Sequence, residues 1–198
     1  MKYKFFLNLL LLSTFSFSCV NRNISRYFFK NKTVLDDLQK DYAAEYSKRP
    51  FSLEYSDKSF NNISIEIITD SIKYIYGFNI KQTVLNDTLN KYKIRPEAID
   101  HLLKDMKSIN CIWLNKLDYY VDGKKNLLVF MSIREKRFHF PLAKRRYYIL
   151  SYFEQHQYFD KNGKLLNKRR QKAVRKIHGD VFKRITDKVA YTVSDRFR

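Results

Sequence analysis

Cysteine, proline and glycine are scarce in this chain of 198 residues, with two, three and four copies. Two cysteines, Cys19 and Cys111, cannot build the multi-bridge framework of a small secreted scaffold. So little glycine and proline excludes a collagen-like or linker-like tract. The apolar run FFLNLLLLSTFSF is shorter than the ~20 apolar residues that a bilayer span takes. Acidic side chains number 20 against 39 Lys and Arg, a formal net charge of +19. Chemistry-bearing motifs are missing too. There is no Gly-rich phosphate loop and no G-x-S-x-G elbow. His101, His139, His156 and His178 stand at no metal-ligand spacing, and Asp and Glu are too scattered to nominate an acid/base pair. Asp160-Lys161-Asn162-Gly163-Lys164 lacks the further carboxylates of a calcium loop and reads as a turn. The sequence therefore nominates no catalytic residue, no metal and no cofactor.

What is present is a folding composition, 44% hydrophobic and 16% aromatic. The N-terminus carries an export pattern. Met1-Lys2-Tyr3-Lys4 is a short positive segment, the apolar run follows, and Ser16-Phe17-Ser18 leads directly into Cys19. This resembles the signal peptide and lipobox of bacterial lipoproteins over residues 1–19. It departs from the commonest form, which has Leu three residues before the Cys where this chain has Ser16. The looser pattern is similar to that of Bacteroidetes lipoproteins. The resemblance implies a signal peptide over 1–18, acylation of Cys19 as the new N-terminus, and a protein anchored in the cell envelope. No Asp follows Cys19 and no acidic run follows it, which in that family implies the periplasmic side of the outer membrane. With Cys19 carrying lipid, Cys111 has no disulfide partner, so stability must come from the core.

The mature chain reads as an N-terminal tether over 19–32 and a single α+β domain over 33–198. The α+β architecture expected is an antiparallel sheet with flanking helices and a long basic C-terminal amphipathic helix. A helix is predicted over 33–47, with Val34, Leu35, Leu38, Tyr42 and Tyr46 near one face. Strands are predicted at 51–55, 62–69 and 73–78, and helical structure over 82–109 with Pro96 in a first turn. Alternation at Cys111, Trp113, Leu117, Tyr119 and Val121 predicts a strand with those side chains in the core. Asp122-Gly123 turns it into a second strand over 127–133, and 147–159 is a further strand. A terminal helix is expected over 165–193.

Lysine is abundant together with Asn, Ile, Tyr and Phe, as in AT-rich genomes, so arginine says more about selection. Ten of 14 Arg lie in residues 134–198, where the local net charge is +13. On a helical projection of 165–193, Val174, Ile177, Val181, Ile185 and Val189 share one side. Lys168, Arg169, Lys172, Arg175, Lys176 and Lys183 share the other. These six are the candidate anion- or partner-binding residues, and Gly179 among them suggests a bend. The expected function is an envelope binding or structural module. Its partners are the membrane through Cys19 and an anionic lipid, lipopolysaccharide or an acidic envelope protein. An envelope hydrolase with an unrecognised site is the alternative. Nucleic-acid binding fits charge and aromatics but not the export signal.

Overall fold

The computed structural model describes residues 23–121, 124–135, 146–168 and 171–196, and the side chains of all of these except Val121, Lys168, Gln171 and Lys172. The expected signal peptide, Cys19, the expected Asp122-Gly123 turn and Arg169 lie outside the described residues. Residues 23–30 form helix α1. Ile24 and Phe28 on it are buried, and Tyr27 donates its hydroxyl proton to the Ile109 carbonyl. Over 23–32, the expected tether is therefore part of the folded domain.

Helix α2 (Lys32–Lys48) buries Leu35, Leu38 and Tyr42, the predicted stripe, and Val34 and Tyr46 pack beside them. Strands β1 (Phe51–Tyr55), β2 (Asn62–Ile68) and β3 (Lys73–Asn79) form an antiparallel meander. The helical region then splits into α3 (Val84–Lys91) and α4 (Pro96–Ser108). The break falls where Lys93 adopts a left-handed φ of 58° and Pro96 begins the next helix, a position that needs no backbone donor. Strands β4 (Cys111–Val121) and β5 (Lys124–Arg134) pair as a hairpin, and β6 (Tyr147–Phe153) adds beside β5. No described helix is long and apolar enough to cross a membrane.

The expected terminal helix is absent. Its residues form β7 (Leu166–Lys168), β8 (Gln171–Val174), β9 (Lys176–Ile177), β10 (Asp180–Val181), β11 (Lys183–Arg184) and β12 (Val189–Ser194). The physical reason is visible in what is buried. Leu165, Phe182, Val189, Ala190 and Tyr191 are the buried hydrophobics of this segment, and they share no helical face. Val174, the start of the projected apolar stripe, is 37% exposed. The β-branched residues favour a pleated surface. His178 and Gly179 take φ of 51° and 84° between the paired residues Ile177 and Asp180, a two-residue hairpin turn of the type that requires positive φ at both positions.

The main sheet has eight strands in the order β11-β12-β6-β5-β4-β1-β2-β3, with every pairing antiparallel. This is the α+β architecture. One face carries the cross-sheet row Leu53, Leu114, Met131, Leu150 and Tyr191. Helices cover it: Tyr42 meets Phe51 edge-on, Tyr55 bonds the Leu103 carbonyl at 2.8 Å, and Phe28 packs on Tyr152. Each fully buried Leu, Ile or Phe here contributes about 1.5–3 kcal/mol. The other face divides in two. On β1 and β2 it carries Ser52, Glu54, Ser64 and Glu66. On β4, β5 and β6 it carries Trp113, Leu117, Phe130, Ile149 and Phe153 with Asn115, Ser132 and Ser151 among them, and the C-terminal strands fold back over it.

Candidate functional site

A bulge in β4 sets the site. Cys111 pairs with Ile133, but Trp113 pairs with Ser132, so Ile112 is an extra residue and the register shifts. Cys111 faces the helices, fully buried, and burial pushes its thiol up to about 12. Trp113 turns to the opposite face. The expectation that the two share one core face with Leu117 and Tyr119 is thus corrected: the bulge separates Cys111 from the other three, and Trp113 is only partly buried.

Trp113 begins the cross-sheet row Trp113, Ser132, Ile149, Thr192. Phe130 lies one row further along β5, its ring centroid 6.5 Å from that of Trp113. The covering segment meets this floor through Phe182, edge-on to Phe130 at 6.0 Å, and through His178 at the β9–β10 turn, 5.9 Å from the same ring. Floor and cover do not close completely. They leave a pocket of about 230 Å³ with walls from Trp113, Phe130, Ile149, Ile177 and Phe182. Its polar lining is His178, Asp180, Ser194, Asp195 and Arg196. The C-terminal end of β12 delivers the last three, because β12 runs antiparallel beside β6 along its full length.

An aromatic floor with a few polar groups at one side is an arrangement that binds small amphipathic groups. Ser194, His178 and Asp180 line one pocket, but among the described residues no hydrogen bond joins His178 to Ser194 or Asp180. The Ser194 hydroxyl instead accepts the Arg196 N–H at 3.2 Å.

The six basic candidates fare differently. Lys168 ends β7 and Lys172 lies in β8, with side chains outside the description, and Arg169 lies wholly outside it. Arg175 is half-buried and structural. Its guanidinium sits over Tyr119 at 5.3 Å and Phe153 at 5.9 Å, donates to Gln157 at 3.3 Å, and is held below its usual basicity by burial. Lys176 is exposed on β9, and Lys183 is half-buried on β11 opposite Tyr191. Arg175 packs inward while Lys176 next to it stands in solvent, so the one-sided stripe of the helical projection does not exist.

A second polar cluster joins α2 to α4. Buried Glu45 accepts from Arg95 and from Lys48 at 2.9 Å, and the Arg95 hydrogen bond is the main cause of its lowered pKa. Beside it His101 Nδ1 lies 3.6 Å from both Asp41 and Asp105. Among the described residues no group of three or more His, Cys, Asp or Glu is arranged to hold a metal. Sequence reasoning passed over Phe130 and Phe182 and set His178 aside because it stands at no metal-ligand spacing. The signal was His178-Gly179 between Ile177 and Asp180-Val181, a hairpin-turn pattern hidden by the helical spacing of the valines. No protein-family model matches the chain, and neither a curated protein nor a solved structure does, so no relative assigns it a family or an activity.

Proposed function

We propose that this chain is a lipoprotein of the bacterial envelope that works by binding. Acylated Cys19 anchors it to the outer membrane on the periplasmic side, and the pocket over Trp113 takes a ring-sized amphipathic group. The observation that carries the binding reading is the pocket itself. Its walls include the aromatic residues Trp113, Phe130 and Phe182, and its polar lining includes Arg196, Ser194 and Asp180. A group with an apolar face and a hydroxyl-rich edge, such as one ring of an envelope glycan, satisfies both sides. The positive excess of the last third supports attraction to the phosphates of anionic lipid or lipopolysaccharide, or to an acidic envelope protein.

Trp113 is the only tryptophan, so its emission reports the pocket directly. Titration with glycan fragments released from the envelope is expected to shift that emission saturably. Phe182→Ala, which removes one wall, should weaken the response at least tenfold. A native protein whose emission ignores every envelope fraction would overturn the pocket reading. For the anchor, Cys19→Ser should abolish acylation and release the protein from the membrane fraction. Loss of the domain to protease added to intact cells would contradict the periplasmic side. Ser194, His178 and Asp180 around the same pocket keep the hydrolase alternative specific. Turnover of those glycan fragments that disappears in Ser194→Ala would favour it.

A further inference from the structure

Helix α1 begins four residues after Cys19, and its two sides differ. Ile24 and Phe28 are buried against the sheet side of the domain, with Phe28 on Tyr152 and Tyr27 against Tyr148. The outer side carries Arg26, Phe29 and Lys30, all exposed. Phe29 is 59% exposed although Phe28 beside it is buried, and among the described residues its aromatic contact is a T-shaped one with Phe28 at 5.2 Å. A large aromatic flanked by two cations on the solvent side of a helix is costly in water and favourable at a lipid surface. There the ring enters the headgroup layer and the cations meet phosphate. Lys32, the next cation, is held by Asp36 within α2.

Chain length confines the choice of occupant. From Cys19 to Asn23 an extended backbone spans at most about 14 Å. A lipid on Cys19 therefore brings the start of α1 to the headgroup layer whatever the rest of the domain does. We infer that the outer face of α1, through Phe29 with Arg26 and Lys30, docks on the anionic membrane surface that holds the Cys19 lipid. This inference rests on the lipid anchor proposed above. It gives the domain a fixed orientation, with β6 nearer the bilayer than β3, which lies at the other end of the sheet order.

The test uses mature protein isolated from the envelope and reconstituted into vesicles containing phosphatidylglycerol and brominated lipid. In a Trp113→Phe background, Phe29→Trp places the sole tryptophan on the docking face. Ile75→Trp places it on β3, at a residue 69% exposed on the face of the sheet away from the helices. Mass measurement of the same preparations reads acylation separately. Bromine quenching in the Phe29→Trp protein severalfold above that in the Ile75→Trp protein is expected. Adding Arg26→Gln and Lys30→Gln to the Phe29→Trp protein should reduce its quenching, and so should replacing phosphatidylglycerol with phosphatidylcholine. Acylated proteins whose tryptophans are quenched equally at the two positions would overturn the docking face and leave the anchor standing. A mass without acyl chains would overturn the anchor, and quenching of the Phe29→Trp protein in that state would still decide the docking. If the emission of the Phe29→Trp protein instead shifts with rising protein concentration in the absence of lipid, the face belongs to a second copy and the membrane inference fails.

Discussion

Trp113 and Phe130 touch across the same face, yet they differ in what surrounds them. Phe130 is 2% exposed, beneath Phe182 and His178. Trp113 borders the pocket and is only partly buried. Phe130→Ala removes a ring from a closed space and should cost about 3–5 kcal/mol. Trp113→Ala extends an opening that already exists and should cost about 1–2 kcal/mol. Urea unfolding of both variants decides the matter. Equal losses would mean that Trp113 is a core residue after all. The difference between these two aromatics was not legible in the sequence. Both lie in strongly apolar strands, and the bulge at Ile112 that turns Trp113 away from Cys111 has no local marker such as glycine.

Gly179 separates the two readings of the C-terminal segment by sign. In the interior of a helix, Gly→Ala would stabilise by about 1 kcal/mol. In the β9–β10 turn its φ is 84°, a region that costs an L residue about 1 kcal/mol, although no atom would crowd the added methyl. Gly179→Ala should therefore lower stability by about 1 kcal/mol, measurable as a reduced urea midpoint with an unchanged slope. The α2–α4 link makes a prediction in pH. Arg95 holds the Glu45 carboxyl below its ordinary value, so the native state disfavours its protonation. The resulting stability is present above the ordinary glutamate value, about pH 4.3, and is lost as pH falls through the lowered native value. Asp57, lowered by the backbone N–H groups of Asn62 and Asn61, acts in the same direction, and Asp105, raised by burial, opposes it. The comparison is thus wild type against Glu45→Gln. The variant should lose about 1 kcal/mol at neutral pH, small because Arg95 is largely exposed, and the gap should close in acid. A gap unchanged down to pH 3 would show that the pair contributes nothing through charge.

For the whole molecule, the consequence of β12 is larger than that of any helix end. It occupies an inner position between β6 and β11 and buries Val189, Ala190 and Tyr191. The strands before it roof Phe130 and Ile149. A chain ending at Asp160 would expose the largely apolar face of β4, β5 and β6 and leave β6 as an unprotected edge. It should be insoluble or lack a cooperative thermal transition. A peripheral basic helix could be removed with the sheet intact, so a soluble, cooperatively melting truncation would refute the integral role. The same geometry redistributes the basic residues of the last third. Arg175 is absorbed into aromatic packing, while Lys176 on β9 and Lys183 on β11 lie on separate short strands.

Local sequence was enough to read the α2 and α4 stripes, the first three strands and the β4–β5 hairpin. In each, neighbouring residues carry the signal: a period of 3.6 in Ile99, Leu102, Leu103 and Met106, a period of two in Phe51, Leu53 and Tyr55, a proline opening α4. Tertiary contacts settled the rest. Val174, Ile177, Val181, Ile185 and Val189 fit a helical spacing, but their partners lie in β6 and in hairpins that close only when the sheet is there to receive Phe182 and Leu165. Strand pairing is a contact between distant residues, and local spacing does not record it. The pocket is hidden for the same reason. Trp113, Phe130, His178 and Arg196 are far apart in the chain, and what joins them is a bulge, a two-residue turn and the inner position of β12.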